Sequence, residues 1–336
     1  MDSLKENINQ LFILGYEGDD FRVDSDFVNL LQNGLGGVIF FTQNIIDEKQ
    51  FKNQVNLIKS VSKIMPFLSI DEEGGRVERF ENLNKNYTDG KKYLSAKYIA
   101  QKGELALKKQ TQNIADDLKN FGLNMNFAPV LDVNSNPDNP IIGERSYSDN
   151  PKEVAKYALI TDEIYRKNKI ITVGKHFPGH GDTKKDSHLE MPVVDMPFEE
   201  FEKTHIYPFK KAVEKNIPAI MAAHVHYKCF DEEKIPASIS KNVLNYLRKN
   251  LNYQGVIISD DMEMGGIKQY EPIDAIEKML MAGVNCFIFR NCTKEVVELL
   301  KELERRAKKN NELKKAIISS CQKIYKLKKI FDIITL

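Results

Sequence analysis

Eight short apolar runs, separated by stretches with helical spacing, constrain the fold of this chain more than any other feature of its sequence. No run exceeds nine residues, and most are rich in Ile, Val or Phe, which favours strands. Their apolar character is nearly continuous, as in parallel strands that are buried on both faces. The runs are LFILGY (11–16), GVIFFT (37–42), PFLSI (66–70), MNFAPVLDV (125–133), IITVGKHF (170–177), AIMAAHV (219–225), GVIISDD (255–261) and NCFIFR (285–290).

Between the runs lie amphipathic stretches, such as 152–167 and 240–250, with apolar residues three and four positions apart. Strand–helix alternation repeated eight times predicts an α/β fold, a (β/α)8 TIM-like barrel, with a doubly wound sheet as the alternative. No linker or composition shift divides the chain, so we expect one barrel domain over residues 1–336. A C-terminal helix is predicted at about 312–330, with a solvated lysine-rich face at Lys323, Lys326, Lys328 and Lys329.

The charge balance narrows the class of protein. The chain has 49 Lys+Arg against 48 Asp+Glu, a net charge of +1, which argues against a nucleic-acid partner. No stretch of 18 apolar residues predicts a membrane span, and the first residues do not resemble a secretory signal. The four cysteines form no CxxC pair, so we expect reduced thiols in a cytoplasmic protein that does not bind membranes.

Charged residues follow the apolar runs at the points where strands should end. In a (β/α)8 barrel these ends meet at one mouth, which is where active sites lie. For each residue alone, a helix cap or a structural ion pair is an open alternative, but a mouth this rich in charge is costly unless it performs chemistry. The residues are Asp71, Asp132, Lys175, His176, His224, His226, Asp260, Asp261 and Arg290.

The segment KHFPGHGDTKKDSH (175–188) holds three of the six histidines. Asp186 stands two residues before His188, a spacing that allows a carboxylate to orient an imidazole that transfers protons near neutral pH. Spacing alone leaves open that this pair only fixes the loop. Likewise, Asp260 and Asp261 at the seventh strand end suit a nucleophile, a metal ligand or a helix cap equally well.

A second carboxylate pair, Glu72 and Glu73, follows the third run. Adjacent residues on an extended segment point in opposite directions, so this pair is poorly placed to flank one bond. We therefore predict a structural role for Glu73, as a partner of Arg76 or Arg79.

Taken together, these segments resemble glycoside hydrolase family 3, in its bacterial single-domain β-N-acetylglucosaminidase (β-N-acetylhexosaminidase) branch. The resemblance rests on SIDEEGGRVERF (69–80), NMNFAPVLDV (124–133), IGERSYSDNP (142–151), VGKHFPGHGDTKKDSHLEMP (173–192), IMAAHVHY (220–227) and VIISDDMEM (256–264), in this order along the chain.

The resemblance implies a role for each matching residue. It implies that Asp260 is the nucleophile of a retaining glycosidase, and that Asp186 and His188 form the acid/base dyad. It implies no metal and no cofactor, and a monomer that acts on a small carbohydrate or muropeptide, such as a cytoplasmic peptidoglycan fragment. The residues that it implies for sugar binding are Asp71, Arg79, Arg145, Lys175 and His176.

Three alternatives stay open. Because imidazole does not repel an anion, phosphate could replace water as the acceptor, which would make the protein a phosphorylase. A non-catalytic sugar-binding barrel would keep the same residues without turnover. The third alternative is a metal-dependent hydrolase, whose ligands would come from His176, His180, His224, His226 and Asp260. The sequence does not choose between muropeptide and chitooligosaccharide aglycones.

Overall fold

Eight parallel strands close into a barrel, which confirms the (β/α)8 prediction and excludes the doubly wound sheet. The computed structural model describes residues 3–83, 92–183 and 191–335. Each strand of the barrel lies in one of the predicted apolar runs: β1 Phe12–Leu14, β2 Gly37–Phe40, β3 Phe67–Ile70, β4 Met125–Asn126, β5 Ile171–Phe177, β7 Ala219–Ala222, β9 Val256–Asp261 and β10 Cys286–Phe289. The order around the barrel is β1-β10-β9-β7-β5-β4-β3-β2, and β1 also pairs with β2. Two further strands, β6 Val193–Val194 and β8 His226–Tyr227, pair with each other outside the barrel.

Helices surround the barrel and connect successive strands. The stretch predicted at 152–167 is helical from Pro151, where the Asn150 side chain caps the first turn. The stretch predicted at 240–250 begins after the Ser240 cap as an α-helix over Lys241–Asn245 and continues as a π-helix over Tyr246–Asn250. The α-helices are α1 Leu4–Asn9, α2 Ser25–Gln32, α3 Glu48–Val61, α4 Ala96–Gln101, α5 Glu104–Asn120, α6 Pro151–Lys167, α7 Phe198–Phe201, α8 Tyr207–Glu214, α9 Lys241–Asn245, α10 Pro272–Ala282, α11 Lys294–Lys309 and α12 Asn311–Ile330.

Three irregular strands place polar side chains at the mouth of the barrel. The fourth run is a strand only over Met125–Asn126, and the chain then continues beside β5 without regular pairing, since Pro129 has no N–H to donate. In β5 the register with β7 shifts between Gly174 and Phe177, and in β9 the register with β10 shifts between Ile258 and Asp261. Each shift inserts one extra residue, so side chains next to each other in sequence no longer alternate strictly between faces.

The C-terminal helix α12 occupies the residues where the sequence predicts a helix, but the prediction for its lysines was partly wrong. Lys326 and Lys329 are exposed, as expected for a solvated face, whereas Lys328 is completely buried. The Lys328 ammonium donates to Gln10 Oε1 at 2.8 Å and lies 4.8 Å from the ring centroid of Phe67, the first residue of β3. The helix therefore inserts a lysine beneath the N-terminal ends of the strands, which periodicity alone could not reveal.

None of the helices in the described ranges combines the length and the apolar character needed to cross a bilayer. None of the four cysteines, all of which the structure describes, forms a disulfide.

Burial lowers the pKa of Lys328 to about 7, although the neighbouring Cys286 and Cys321 oppose the shift. In the unfolded chain a lysine has a pKa of about 10.4, so between pH 7 and pH 10 the unfolded state binds more protons than the folded state. The free energy of unfolding of the wild type should therefore rise by a few kcal/mol over this range relative to Lys328→Met. Urea unfolding at pH 7, 8.5 and 10 measures the difference.

The control is Lys329→Met, on the exposed side of the same helix. The Gln10 hydrogen bond lost in Lys328→Met shifts the stability of that variant by an amount that does not depend on pH. Parallel curves of stability against pH for the wild type and Lys328→Met would contradict the assignment of a depressed lysine pKa.

Candidate active site

A cavity of about 260 Å³ opens where the C-terminal ends of the barrel strands meet. Ten of its lining residues are charged side chains or histidines, the residue types that the sequence placed at strand ends. Apolar side chains complete the wall, among them Ile39, Phe127, Met221 and Ile288. The charged and histidine lining comprises Asp71, Arg76, Arg79, Arg145, Lys175, His176, His180, Asp260, Asp261 and Arg290.

The structure brings six of the eight predicted site residues together in this cavity. Asp71 directly follows β3, Lys175 and His176 lie in the irregular part of β5, and Asp260 lies near the end of β9. Arg79 comes from the loop after β3, and Arg145 ends a short 3-10 helix at Gly143–Arg145. The other two predicted residues, Asp186 and His188, lie outside the described residues.

A buried ion-pair network anchors the wall beneath the sugar-binding candidates. Lys175 Nζ lies 2.7 Å from Asp71 Oδ1 and 2.6 Å from Glu73 Oε1, and its side chain is only 2% exposed. Arg145 donates to both oxygens of Glu73, from Nε at 2.9 Å and from Nη2 at 2.8 Å. The predicted partners of Glu73, Arg76 and Arg79, were therefore wrong, because the tertiary fold brings in two cations that are distant in sequence.

Glu72 lies apart from this network. It is fully buried, and its Oε2 accepts the backbone N–H of Arg79 at 2.8 Å. Burial, reinforced by Glu78, raises the pKa of Glu72 well above its usual value. The two adjacent glutamates thus have different partners, in agreement with the prediction that they do not act as a pair.

His176 is held by a second buried carboxylate, Asp132. The Nδ1 of His176 lies 2.7 Å from Asp132 Oδ2, and the backbone N–H groups of His176 and His180 also donate to Asp132. Burial alone would raise the pKa of Asp132, but His176 and His180 outweigh it and lower that pKa. Because an ionised carboxylate only accepts, Nδ1 of His176 carries a proton, and Nε2 lies 3.4 Å from Arg145 Nη2.

The two aspartates at the end of β9 differ in their electrostatics. Burial alone would raise the pKa of Asp260, but His176, His224, the Asp261 N–H and Lys175 outweigh it and lower that pKa. Burial raises the pKa of Asp261 to about 6, and the charges of Glu263 and Asp260 add to the shift. Asp260 is therefore an ionised carboxylate at neutral pH, ready to act on an electrophile in the cavity.

The rim of the cavity carries an aromatic ring close to two cations. The guanidinium carbons of Arg290 and Arg79 lie 5.0 Å and 5.7 Å from the ring centroid of Phe41. Arg79 also faces Asp71, with 3.8 Å between the nearest charged atoms, and among the described residues its buried Nε has no hydrogen-bond partner. Arg79 is thus paired more loosely than Arg145, and its guanidinium lines the cavity.

The start of the histidine segment packs tightly beside the cavity. Gly179 has a φ of +137°, and a Cβ there would lie 2.7 Å from the Cβ of His205. At Gly181 the constraint is space, because a Cβ would lie only 1.6 Å from the carbonyl oxygen of Val133. Both glycines are thus required by the path of the backbone.

The histidines of the metal-site alternative have separate partners. His180 Nδ1 lies 2.9 Å from the Thr183 hydroxyl, His224 Nδ1 lies 2.8 Å from the Ser238 hydroxyl, and His226 Nδ1 lies 3.1 Å from a backbone carbonyl. Within residues 3–83, 92–183 and 191–335, no group of three His, Cys, Asp or Glu side chains is arranged to hold a metal ion.

Sequence reasoning missed structural partners and two of the lining residues. Asp132 was marked as a strand-end residue without a role, and Glu73 was given the wrong partners. Phe41 and Met264 line the cavity but were not predicted to do so. The position of Phe41 directly after β2 was an available signal, whereas Met264 lies in a loop that only the tertiary fold brings to the cavity.

The chain is similar to known proteins in sequence and in structure. The family model described as "Glycosyl hydrolase family 3 N terminal domain" matches residues 3–327. A β-hexosaminidase from Actinobacillus pleuropneumoniae serotype 5b is 34% identical over 291 residues, covering 85% of this chain and 83% of the relative. β-Hexosaminidase A from Pseudoalteromonas piscicida is 35% identical over 269 residues, which span 75% of this chain but only 45% of that protein.

The solved structure of a glycoside hydrolase family 3 β-N-acetylglucosaminidase from Paenibacillus sp. str. FPU-7 superimposes with a TM-score of 0.89 at 28% identity. The match covers 99% of this chain and 64% of the other. The chain is thus shorter than some of its relatives and similar in length to others.

The raised pKa of Asp261 predicts a pH-dependent stability. An unfolded aspartate has a pKa of about 3.9, so between pH 4 and pH 6 the folded state binds more protons, and wild-type stability falls as pH rises. Asp261→Asn removes this loss and keeps an oxygen to accept the Glu263 N–H. Its stability relative to wild type should improve between pH 4 and pH 7, by roughly 1–3 kcal/mol. Thermal or urea unfolding across this range measures it.

The exposed Asp138→Asn serves as the control for replacing a carboxylate by an amide. A difference between Asp261→Asn and wild type that is the same at pH 4 and pH 7 would show that Asp261 does not titrate as assigned.

Proposed function

Since the chain belongs to glycosyl hydrolase family 3, we propose that it is a β-N-acetylhexosaminidase that releases terminal, non-reducing β-linked N-acetylglucosamine with retention of configuration. The observation that carries the proposal is the cavity in which an ionised Asp260 lies among cations and carboxylates. Such groups suit a neutral sugar, whose hydroxyls both donate and accept hydrogen bonds. We infer that the sugar is an N-acetylated amino sugar from the names of the relatives, which are β-hexosaminidases and a β-N-acetylglucosaminidase.

In the proposed reaction Asp260 attacks the anomeric carbon and forms a covalent glycosyl-enzyme, which water then hydrolyses. His188 protonates the leaving oxygen in the first step and deprotonates the water in the second. Asp186 orients His188 and favours its imidazolium form. The roles of these two residues rest on the sequence resemblance, because both lie outside the described residues.

The surrounding groups hold the sugar for attack. Asp71, Lys175 and Arg145 are fixed by the buried network, so they bind hydroxyls without first having to be ordered. His176, held by Asp132, and the Arg79 guanidinium complete the polar wall around the sugar. A peptidoglycan fragment recovered in the cytoplasm is the substrate we favour, with a chitooligosaccharide as the other possible source of the same terminal sugar.

The lining also contains cations that could bind an anionic acceptor. Five cations, Arg76, Arg79, Arg145, Lys175 and Arg290, line the cavity against three carboxylates, Asp71, Asp260 and Asp261. Phosphate in place of water would attack the glycosyl-enzyme and form the sugar 1-phosphate. Phosphorolysis is therefore the second candidate function of this site.

Release of nitrophenol from 4-nitrophenyl β-N-acetylglucosaminide, with EDTA present, tests the proposal. The wild type should turn over, whereas Asp260→Asn should lose at least about 10³-fold in kcat, because the amide cannot act as the nucleophile. Circular dichroism of both proteins controls for folding.

Loss of wild-type activity on adding EDTA would instead indicate a metal-dependent hydrolase. Binding of N-acetylglucosamine without turnover would identify a sugar-binding barrel instead. The same assay with and without phosphate separates the two acceptors: hydrolysis gives free N-acetylglucosamine in both cases, whereas a phosphorylase gives the 1-phosphate and runs faster with phosphate.

Replacing His188 by Ala tests the proposed acid/base residue. Turnover of the nitrophenyl substrate should fall by roughly two to four orders of magnitude, the usual contribution of general acid–base catalysis. The pH dependence of kcat/KM should lose the limb due to the imidazole. His226→Ala, which removes another histidine at the mouth end of the barrel, is the comparison. An unaffected His188→Ala enzyme would remove His188 from the mechanism.

A further inference from the structure

Glu73 does not line the cavity, yet it bonds two side chains that do. We propose that Glu73 is a positioning residue, which holds Arg145 and Lys175 in the arrangement that recognises the hydroxyls of the bound sugar. The inference rests on the proposed glycosidase function, because it assigns to Glu73 the alignment of the substrate for attack by Asp260.

The geometry is that of a fork. Both Glu73 oxygens accept from Arg145, at 2.9 Å and 2.8 Å, so the planar guanidinium has one favoured orientation. Oε1 is shared with Lys175 Nζ at 2.6 Å. One carboxylate therefore fixes the distance between two cationic groups from different elements, the 3-10 helix at Gly143–Arg145 and strand β5.

Burial makes the pairing strong and makes Glu73 hard to replace. The side chains of Glu73, Lys175 and Arg145 are only 4%, 2% and 11% exposed. Burial alone would raise the pKa of Glu73, but Arg145 and Lys175 outweigh it and hold that pKa well below the usual range. Glu73 is thus a carboxylate at any working pH, and its charge offsets the repulsion between two cations in a poorly solvated wall.

Arg145 depends on Glu73 more than Lys175 does. Among the described residues, Arg145 forms an ion pair with Glu73 alone, and its other contacts are the Ile141 carbonyl at 3.3 Å and His176 Nε2 at 3.4 Å. Lys175 keeps Asp71 as a second partner. Loss of the Glu73 charge should therefore displace the guanidinium most, and through it disturb His176.

The test measures kcat/KM of wild type and Glu73→Gln on 4-nitrophenyl β-N-acetylglucosaminide and on its 3-, 4- and 6-deoxy analogues. Glu73→Gln should lose about 10²-fold or more on the full sugar, since one partner of a buried charge pair has been removed. On the analogue that lacks the hydroxyl bound by these cations, the loss should shrink to less than tenfold. A purely structural role would reduce the activity on all four substrates by the same factor.

Two variants serve as controls. Asp162→Asn also removes a buried carboxylate that pairs with an arginine, Arg166 at 2.8 Å, but Asp162 lies on α6 and does not line the cavity. It should leave the ratios between the four substrates unchanged. Glu73→Asp keeps the charge on a shorter side chain and should recover part of the activity lost in Glu73→Gln.

Crystal structures of wild type and Glu73→Gln test the positioning without requiring turnover. The Arg145 guanidinium should leave its wild-type position in the variant. Unmoved Arg145 and Lys175 groups, or equal losses on all four substrates, would overturn the inference. Failure of the proposed function is a distinct result: the wild type would be inactive on every β-N-acetylglucosaminide, while the displacement of Arg145 would still be seen.

Discussion

Closure of the sheet between β1 and β10 is the constraint on which the site depends. Because all eight strands run parallel, closure brings every C-terminal strand end to one rim. Residues as distant in sequence as Asp71, Lys175 and Asp260 then line the same cavity. An open sheet would spread these side chains along an edge, where no single sugar could contact them all.

Carboxylates behind the rim of the cavity stabilise the charged side chains that line it. Glu73 neutralises Arg145 and Lys175, and Asp132 holds His176 and the backbone of His180. Neither carboxylate lines the cavity. Burying an unpaired charge costs roughly several kcal/mol. These partners therefore allow the cations to stay ionised and in position. The wall is thus organised before a ligand arrives.

Asp260 and Asp261 illustrate how environment separates two chemically identical neighbours. The cationic side of the cavity lowers the pKa of Asp260, whereas burial beside two other carboxylates raises that of Asp261 to about 6. The extra residue in β9 brings both to the cavity lining. Asp260 therefore stays ionised in mildly acidic solution, where Asp261 becomes protonated.

The sequence by itself determined the architecture and most of the charged residues that line the cavity. Eight apolar runs separated by helical stretches specify the barrel, and a barrel has one catalytic end, so strand-end residues such as Asp71 and Asp260 were predictable. Tertiary structure decided which charges pair, because Glu73 bonds Arg145 and Lys175 rather than the arginines near it in sequence. It also decided that Lys328 is buried, although the sequence predicts that the lysines of this helix are exposed. Periodicity reports which face of an element a residue occupies, whereas ion pairing depends on distances between elements, which exist only after the barrel has closed.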